Sequence, residues 1–425
     1  MKPTVLIATT ARWFPATRLA MALAKAGFAV QAVCPSRHTL RKTSAVRRAH
    51  AYRALTPLLS FADAITATNP DLIIPGDDLA TRHLHQLYRR ERNKGKAGSR
   101  VCDLIERSLG AAEGFDVVYA RAAFAQIAQE EGVRAPKTRI IASIDDLKRC
   151  AAGIGFPMVL KANGTSGGDG VKLVNTLEEA ERAFRKLQAP PLVARAFKRA
   201  LVDWDFTLVW PSLSRRRAVL NAQAFVAGHE ATSTIACWQG TVLASLHFEV
   251  LKKVSSTGHA TVLRLIEHPE MSAAAEKIAR RLKLSGLHGL DFMLEAHTGN
   301  AHLIEINPRT TQVGHLALGL RRDLPAALYA ALAENNLQAA PKITENDTIA
   351  LFPHEWMRDP KSEFLQSGYH DVPWEEPALV RDCIRKSQTQ RAWYRKPDVT
   401  AVRSPSLPRS VRADQRAVEL DCEAK

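Results

Sequence analysis

The stretch LDFMLEAHTGNAHLIEINPRT, Leu290–Thr310, predicts a β-hairpin that carries oxygen-bearing side chains on one face. Two apolar segments flank a TGN turn, a pattern typical of antiparallel strands. Glu305 and Asn307 are two residues apart, so an extended strand directs both side chains to the same face. The hairpin returns them beside Asp291, and Mg²⁺ prefers such oxygen ligands. The sequence therefore predicts a metal site, and the other interpretation is a hairpin with solvent-facing acids.

A second segment, FPMVLKANGTSGGDGVKLV (Phe156–Val174), predicts a strand, a glycine loop and another strand. Glycine accepts positive φ at no steric cost, so the backbone N–H groups of such a loop can turn toward a phosphate. Lys161 stands on the strand just before the loop. No Gly-Lys-Ser/Thr opens a helix here, so this is not a Walker A loop. A flexible hairpin tip with a surface lysine is the alternative. The candidate phosphate ligands in the loop are Gly164, Thr165, Ser166, Gly167, Gly168 and Gly170.

Together, in this order, the two segments resemble the ATP-grasp superfamily, which includes biotin carboxylase, the carbamoyl-phosphate synthetase large subunit and D-alanine ligases. The resemblance covers about residues 1–330, and Asp291 with the IEINPR sequence is its most specific part. It implies that MgATP is the cofactor, with Mn²⁺ as an alternative metal. It also implies that Lys161 and Arg121 contact the nucleotide phosphates and that Arg309 steadies the transferred phosphoryl group. The implied catalytic residues are Arg309 and Lys161, and the implied metal ligands are Asp291, Glu305 and Asn307.

Two positions depart from the family pattern. The strand LVARAF has Ala194 and Arg195 where many family members carry a glutamate near the adenine and ribose. The contacts to the base are therefore left open. Asp205, or Asp203, in LVDWDFTLVW is the candidate for the ribose hydroxyls, and an acid at a strand edge is the alternative interpretation.

The amino-terminal third predicts a β-α-β unit. KPTVLIATT is typical of a buried strand, ATRLAMALAKAG of a helix that ends at Gly27, and FAVQAVCP of a second strand. In parallel α/β sheets ligands collect at the carboxyl ends of the strands. A dinucleotide site is not indicated, since G-x-G-x-x-G is missing. The candidate cleft residues are Thr9, Thr10, Arg12, Asp77 and Asp78.

The expected fold class is α/β, with a Rossmann-like pre-ATP-grasp domain, a two-lobed α+β ATP-grasp domain and a small carboxyl-terminal extension. A length of 425 residues suits several domains. Trp356 and Trp374 indicate a packed appendage near the end of the chain. The expected boundaries are 1–112 for the first domain, 113–190 for the first lobe with the glycine lid, 191–340 for the second lobe with the metal site, 341–396 for the appendage and 397–425 for a disordered tail.

Composition indicates the expected location of the protein and the kinds of partner it binds. No run of eighteen apolar residues exists, and early arginines argue against a secretory signal, so a cytoplasmic location without membrane partners is expected. The six cysteines show no C-x-x-C spacing, which indicates neither zinc nor disulfides. The net charge of +16 comes from clusters with few aromatic residues, so nucleic acid is not the expected partner. Basic surface that steers anionic substrates, or plain solvated surface, accounts for the charge.

By the resemblance, the protein is expected to be an enzyme that activates a small-molecule carboxylate with MgATP and transfers it to an amine or similar nucleophile. Thr310, Gln312 and His315 are the preferred candidates for the acceptor pocket. For His247, a histidine in a surface loop is favoured over a contact to the carboxylate. The alternative function is a non-catalytic nucleotide-binding regulatory module whose basic surface docks an acidic partner. The sequence leaves a homodimer open.

Overall fold

The computed structural model describes residues 2–163, 170–189, 218–256, 258–335 and 341–394, with side chains up to residue 385. Contacts within the chain separate Met1–Arg381 from a second unit that begins at Asp382. The helices in the described ranges are α1 (Phe14–Ala26), α2 (Pro57–Thr68), α3 (Asp78–Arg92), α4 (Ser99–Leu109), α5 (Arg121–Glu130), α6 (Ile144–Ile154), α7 (Leu177–Gln188), α8 (Pro269–Arg281), α9 (Leu324–Leu332), α10 (His354–Arg358), α11 (Phe364–Ser367) and α12 (Pro377–Tyr394).

The strands of the described ranges form a mixed α/β fold with two four-stranded sheets and one seven-stranded sheet. In chain order they are β1 (Thr4–Ala8), β2 (Ala29–Cys34), β3 (Arg48–Ala51), β4 (Leu72–Pro75), β5 (Thr138–Ile141), β6 (Met158–Ala162), β7 (Val171–Val174), β8 (Leu220–Ala224), β9 (Gly228–Trp238), β10 (Thr241–Lys253), β11 (Ala260–Leu265), β12 (Gly286–Glu295), β13 (Ala301–Asn307), β14 (Thr348–Ala350) and β15 (Tyr369–His370).

The first sheet is parallel, with the strand order β3-β2-β1-β4. The predicted strand, helix and strand are present as β1, α1 and β2. Helix α1 has a proline in its first turn and ends at Gly27, whose φ of 116° suits glycine. A side chain at Gly27 would also collide with the ring of Tyr329, since a Cβ there would lie 2.8 Å from it. This glycine therefore lets α1 end against α9.

The second sheet is antiparallel and has the order β5-β8-β6-β7. Met158 and Leu160 are buried in a core shared with α6 and α7, while Val159 and Lys161 alternate onto the opposite face. Helix α6 begins with a capping box between Ser143 and Asp146. Strand β8 joins this sheet from beyond residue 190, so the sheet draws strands from both segments predicted as separate lobes.

The third sheet has the order β13-β12-β9-β10-β11-β14-β15 and holds the predicted hairpin at one edge. One of its faces packs against α8 through residues such as Ile235 and Ile278, and the other packs against α1 and α9 through residues such as Leu246. Strands β14 and β15 extend this sheet from the segment predicted as an appendage. The expectation that Trp374 packs inside that segment is wrong, since its side chain is 72% exposed.

Five cysteines in the described ranges are buried and form no disulfide bond there: Cys34, Cys102, Cys150, Cys237 and Cys383. None of the described helices combines the length and apolar character needed to cross a membrane.

Candidate active site

The hairpin of β12 and β13 brings the predicted oxygen ligands together. Asp291 pairs with Glu305 in the antiparallel register, and a bulge follows Asp291. The side-chain amide of Asn307 donates to Oδ2 of Asp291 at 2.8 Å. The turn at Gly299 has a φ of 71°, a conformation that favours glycine. The register of β12 and β13 therefore brings two carboxylates and an amide together.

Asp291 is a carboxylate with neutral direct partners. Thr232 Oγ1 donates to its Oδ1 at 2.9 Å, and Asn307 donates to Oδ2. Burial raises the pKa of Asp291, and the two hydrogen bonds and the charge of Arg309 offset this only in part. No ion pair to Asp291 occurs within the described ranges. A carboxylate in this state gains from a cation, which is the property expected of a metal ligand.

The donor set fits a metal that keeps water or phosphate oxygens in its shell. The part of the chain that the structure describes has no cluster of three or more His, Cys, Asp and Glu side chains arranged for a metal. The candidate site has two carboxylates and one amide. Mg²⁺ is typically held by one or two carboxylates together with waters and substrate phosphates. The small protein donor set therefore suits Mg²⁺ better than zinc, which takes nitrogen and sulfur ligands.

Arg121 reaches this hairpin from the first residue of α5. The helix is anchored by Phe124 and Ala128, which pack into the core beneath β13. Nη1 of Arg121 contacts Oε2 of Glu305 directly. Burial lowers the pKa of Arg121, opposed by the charges of Asp291 and Asp78. A candidate phosphate contact and a candidate metal ligand thus neutralise each other across the cleft.

Lys161, on β6 of the second sheet, lies near the charges of Arg121 and Asp291. Burial lowers its pKa to about 7, helped by Arg121 and opposed by Asp291 and Glu230. The backbone N–H of Ala162 donates to the carbonyl of Gly170 at 2.9 Å, which closes the base of the glycine loop. The remaining predicted loop residues, Gly164, Thr165, Ser166, Gly167 and Gly168, and the ribose candidates Asp203 and Asp205 lie outside the described residues, as does the LVARAF strand.

Arg309 connects the hairpin with the first sheet. Its Nε donates to Oδ1 of Asp78 at 3.1 Å, and its Nη2 donates to Oδ1 of Asn307 at 3.4 Å. Its guanidinium lies 5.5 Å from the centroid of the Trp13 ring. A planar, oriented guanidinium at this point is suited to a phosphoryl group or a carboxylate.

The other predicted cleft residues have separate roles. Asp77 caps α3 by accepting from the N–H of Ala80 at 2.8 Å, and it also accepts from the hydroxyls of Thr9 and Thr10. It is therefore committed to holding the first sheet's loops together. Asp78, the next residue, is the one that extends to Arg309.

Two site residues on β9 were missed by sequence reasoning. Thr232 holds Asp291, and Glu230, two residues earlier, contributes to the electrostatics of Lys161. Nζ of Lys253 lies 2.6 Å from Oε1 of Glu230. The alternating polar residues in GHEATST were visible in the sequence. That β9 lies beside β12 was not visible, because strand order depends on long-range pairing.

The predicted acceptor residues all have partners inside the protein. The N–H of Thr310 donates to the carbonyl of Pro75 at 3.2 Å, and the amide of Gln312 donates to the carbonyl of Ala260 at 3.0 Å. Nε2 of His315 lies 2.6 Å from Oδ2 of Asp371. The placement of His247 in a surface loop is wrong: it lies inside β10, 5% exposed, because this strand continues to residue 253.

Comparison with known proteins identifies the domain that carries this site. The family model described as "Carbamoyl-phosphate synthase L chain, ATP binding domain" matches residues 120–318. The carbamoyl phosphate synthase large chain of Kineococcus radiotolerans is 26% identical over 281 residues, which is 64% of this chain and 22% of that protein. The Thermus thermophilus large chain is 24% identical over 215 residues, 50% of this chain and 19% of that protein. This chain thus spans about a fifth of the length of these curated relatives.

Solved structures share the fold over most of the chain. The biotin carboxylase domain of the Hydrogenobacter thermophilus 2-oxoglutarate carboxylase, in complex with MgADP, ADP and bicarbonate, has a TM-score of 0.55 at 16% identity, covering 80% of this chain and 71% of that one. The Aspergillus clavatus N5-carboxyaminoimidazole synthase, in complex with ADP and 5-aminoimidazole ribonucleotide, has a TM-score of 0.56 at 12% identity, covering 79% and 78%. Residues 120–318, which include the hairpin, Arg121 and Lys161, are thus similar to the ATP-binding domain described by this family model, and most of the chain shares the fold of these solved structures.

Proposed function

We propose that this protein is an ATP-dependent ligase that activates a carboxylate as an acyl phosphate and transfers the acyl group to an amine or similar nucleophile. The observation that carries the proposal is the convergence of Asp291, Glu305 and Asn307 with three cationic side chains, Lys161, Arg121 and Arg309. The similarity to carbamoyl phosphate synthase large chains supports the same chemistry.

In this proposal the residues act by position and charge. Bound MgATP would supply the γ-phosphoryl group. An oxygen of the acceptor carboxylate attacks the γ-phosphorus, the bond to the ADP oxygen breaks, and an amine then displaces phosphate from the acyl carbon and loses a proton. Lys161 and Arg121 would bind the phosphate oxygens, and Arg309 would orient the transferred group. Charge placed in advance of the reaction is the main source of acceleration in phosphoryl transfer.

The direct contact between Arg121 and Glu305 also has a place in this scheme. In the pair, two charges of opposite sign compensate each other. Metal binding by Glu305 would free the guanidinium of Arg121 for the phosphates. Both side chains are partly shielded from solvent, so their mutual attraction is stronger than that of a surface pair.

The face of the four-stranded sheet that carries Lys161 offers an apolar surface for the base. Val159 lies two residues before Lys161, and Leu173 pairs directly with Val159 on the neighbouring strand. Leu173 is 51% exposed, and Ile140 on the same face is 57% exposed. An adenine ring would cover these side chains. We infer that the base is bound by apolar contact here.

The parallel first sheet supports the finer fold assignment. We infer that it is the Rossmann-like pre-ATP-grasp domain and that it helps to shape the acceptor pocket. Its contribution is the Asp78 contact with Arg309 and the ring of Trp13 beside the same guanidinium. The acceptor would lie near this junction.

The first experiment is a screen of amino acids, peptides and small acids, with and without amines, for MgATP-dependent ADP formation. Mass spectrometry then identifies the product. ADP release that requires both a carboxylate and an amine supports the ligase. ATP binding with no turnover across the panel contradicts it and matches the regulatory module instead.

Variants of the metal ligands make the test specific. Glu305→Gln and Asn307→Asp are expected to reduce ADP formation strongly, since each alters the oxygen ligands of the metal. Glu295→Gln, on β12 in the same hairpin but outside the cluster, serves as the matched control. If both cluster variants retain full activity, the metal assignment is wrong.

A further inference from the structure

A pocket lies beside the seven-stranded sheet, at the point where the pairing between β10 and β11 ends. Strand β11 pairs with β10 only up to Leu265, which faces Phe248. Beyond this point the N–H of Ser245 donates to the carbonyl of Arg321 at 3.0 Å, so a turn takes the place of the strand. A cavity of about 240 Å³ remains between β10, the segment before α8 and this turn.

The charged groups of this pocket are two arginines and one glutamate. Arg322 contacts Glu267, whose side chain is 72% exposed. The guanidinium of Arg321 has no hydrogen bond or ion pair to any residue in the ranges that the structure describes. Burial lowers the pKa of His247 to about 4, helped by His268 and Arg322, so this histidine is neutral at pH 7. The net charge of these groups is therefore positive.

Neutral hydrogen-bonding groups complete the wall. Nδ1 of His247 lies 2.7 Å from Oγ of Ser233, and its Nε2 lies 2.9 Å from Oγ of Ser272 and 3.4 Å from Oγ of Ser245. Ser272 stands in the first turn of α8, where no side chain caps the helix. Hydroxyls and a helix N-terminus both suit negative charge.

The backbone of the turn presents the two arginines. Arg321 has a φ of 57°, in the left-handed region that a non-glycine side chain rarely adopts. Gly319, two residues earlier, has a φ of 115°, and the N–H of Arg322 donates to its carbonyl at 3.0 Å. Such local strain is commonly found at ligand sites.

The pocket is separate from the candidate active site. His247 pairs with Ser233 on β9, and the neighbouring residue Thr232 binds Asp291. Successive residues of a strand point to opposite faces of the sheet. His247 and Asp291 therefore lie on opposite faces, and an occupant of one site does not enter the other.

We propose that this pocket, lined by His247, Ser245, Ser272, Arg321, Arg322 and Glu267, is a second binding site for a small oxyanion-bearing metabolite, a phosphate ester or a short carboxylate. The free guanidinium of Arg321 binds the anion. Because Glu267 is exposed, its side chain turns into solvent when the ligand binds, and Arg322 then contacts the ligand.

The test uses the full chain with ¹⁵N-labelled histidine, and the His247 resonances are assigned with His247→Gln. Inorganic phosphate and succinate are titrated separately at constant ionic strength. Saturable shifts of the His247 signals are expected, and Arg321→Ala and Arg322→Ala should each weaken binding about tenfold, because each removes a charge-assisted contact. Tighter binding of phosphate identifies a phosphate ester, and tighter binding of succinate identifies a carboxylate.

Glu267→Gln distinguishes a ligand site from a general structural effect. Removing the competing carboxylate should strengthen anion binding several-fold, an outcome that misfolding cannot imitate. Arg280→Ala on α8 and Arg309→Ala in the active site are the controls, and both should titrate like the parent protein. Absence of saturable shifts with both probes, or pocket variants that titrate like the parent, overturns the proposal.

Discussion

Asp291 and Asp371 are both shielded carboxylates, yet the protein shifts their pKa values in opposite directions. Burial raises the pKa of Asp291, whose direct partners are the neutral side chains of Thr232 and Asn307. Burial alone would also raise the pKa of Asp371, but the charges and hydrogen bonds of His315 and Arg18 outweigh it and lower the pKa. The nature of the direct partners decides the direction.

Asp371 is the centre of a structural contact. Nη2 of Arg18 lies 2.5 Å from its Oδ1, and Nε2 of His315 lies 2.6 Å from its Oδ2. Arg18 belongs to α1, His315 follows the hairpin, and Asp371 follows β15. Nearby, Oε1 of Glu376 accepts from the hydroxyl of Thr43 at 2.6 Å. These bonds join the end of the large sheet to the first sheet's domain.

The two carboxylates differ in whether the protein itself provides a cationic partner. Asp371 has one, whereas Asp291 would gain from a further cation. At Asp371 the protein itself supplies a cation, Arg18, and a hydrogen bond to His315, so the group serves stability. At Asp291 it supplies only neutral donors, so the group bears an electrostatic cost in the absence of a ligand. Strained or costly electrostatics of this kind are typical of functional sites.

The largest expected effect is on stability, in Asp371→Asn. Removing this carboxylate leaves Arg18 buried without its partner and should lower the free energy of unfolding by about 3–5 kcal/mol. Because the pKa of Asp371 is depressed in the folded state, its contribution is present above the unfolded pKa of about 3.9 and is lost as pH falls through the folded value. Urea unfolding should show the full deficit at pH 7 and a smaller one below about pH 4. An equal deficit at both pH values would contradict the charge argument.

Asp291→Asn should greatly reduce activity but not stability, whereas the main effect of Asp371→Asn is on stability. ADP formation is expected to fall about 10²–10³-fold, the scale of losing a principal electrostatic group in an active site. Unfolding midpoints in urea should stay equal or rise, because the variant removes a carboxylate that burial disfavours. Glu295→Gln on the same strand is the control for both measurements. A loss of stability comparable with that of Asp371→Asn would show that the two carboxylates are alike.

Lys161 provides a third test, through proton uptake. Its pKa of about 7 leaves it half protonated at pH 7, and phosphates bound beside it favour the charged form. Binding of MgADP at pH 7 should therefore take up about half a proton, measured by calorimetry in buffers of different ionisation enthalpy. Lys161→Met should abolish this uptake and weaken binding about tenfold. Lys172→Met, an exposed lysine on β7, should retain both.

The same lysine affects stability with a defined sign. The folded state loses the Lys161 proton near pH 7, whereas the unfolded chain keeps it to about pH 10.4. The unfolded state binds more protons in this window, so this residue makes the protein more stable as pH rises through it. The increase should be absent in Lys161→Met. A parallel pH dependence in both proteins would contradict the assigned pKa.

The smallest effect is expected for Glu375→Gln. This carboxylate lies 3.6 Å from Nη1 of Arg18 but is 65% exposed, so water screens the pair. Its removal should change the free energy of unfolding by less than about 1 kcal/mol, measured by urea unfolding at pH 7. A loss near that of Asp371→Asn would mean that burial does not decide the strength of these contacts.

Local patterns predicted a large part of the described fold. The hairpin at Asp291 and the end of α1 at Gly27 both follow from residue spacing and turn chemistry. Longer-range features did not. Strand β8 joins β5 and β6 of the second sheet, because pairing between distant segments decides its place.

The sequence by itself determined which residue types this protein can bring together in one site: two carboxylates and an amide on a hairpin, and a strand lysine before glycines. These depend on interactions over a few residues, which periodicity reveals. Only the tertiary structure decided that β9 lies beside β12, so that Thr232 holds Asp291, and that Arg18 and His315 meet Asp371. The physical reason is that a side chain's charge state depends on neighbours brought from distant parts of the chain, and packing alone chooses those neighbours.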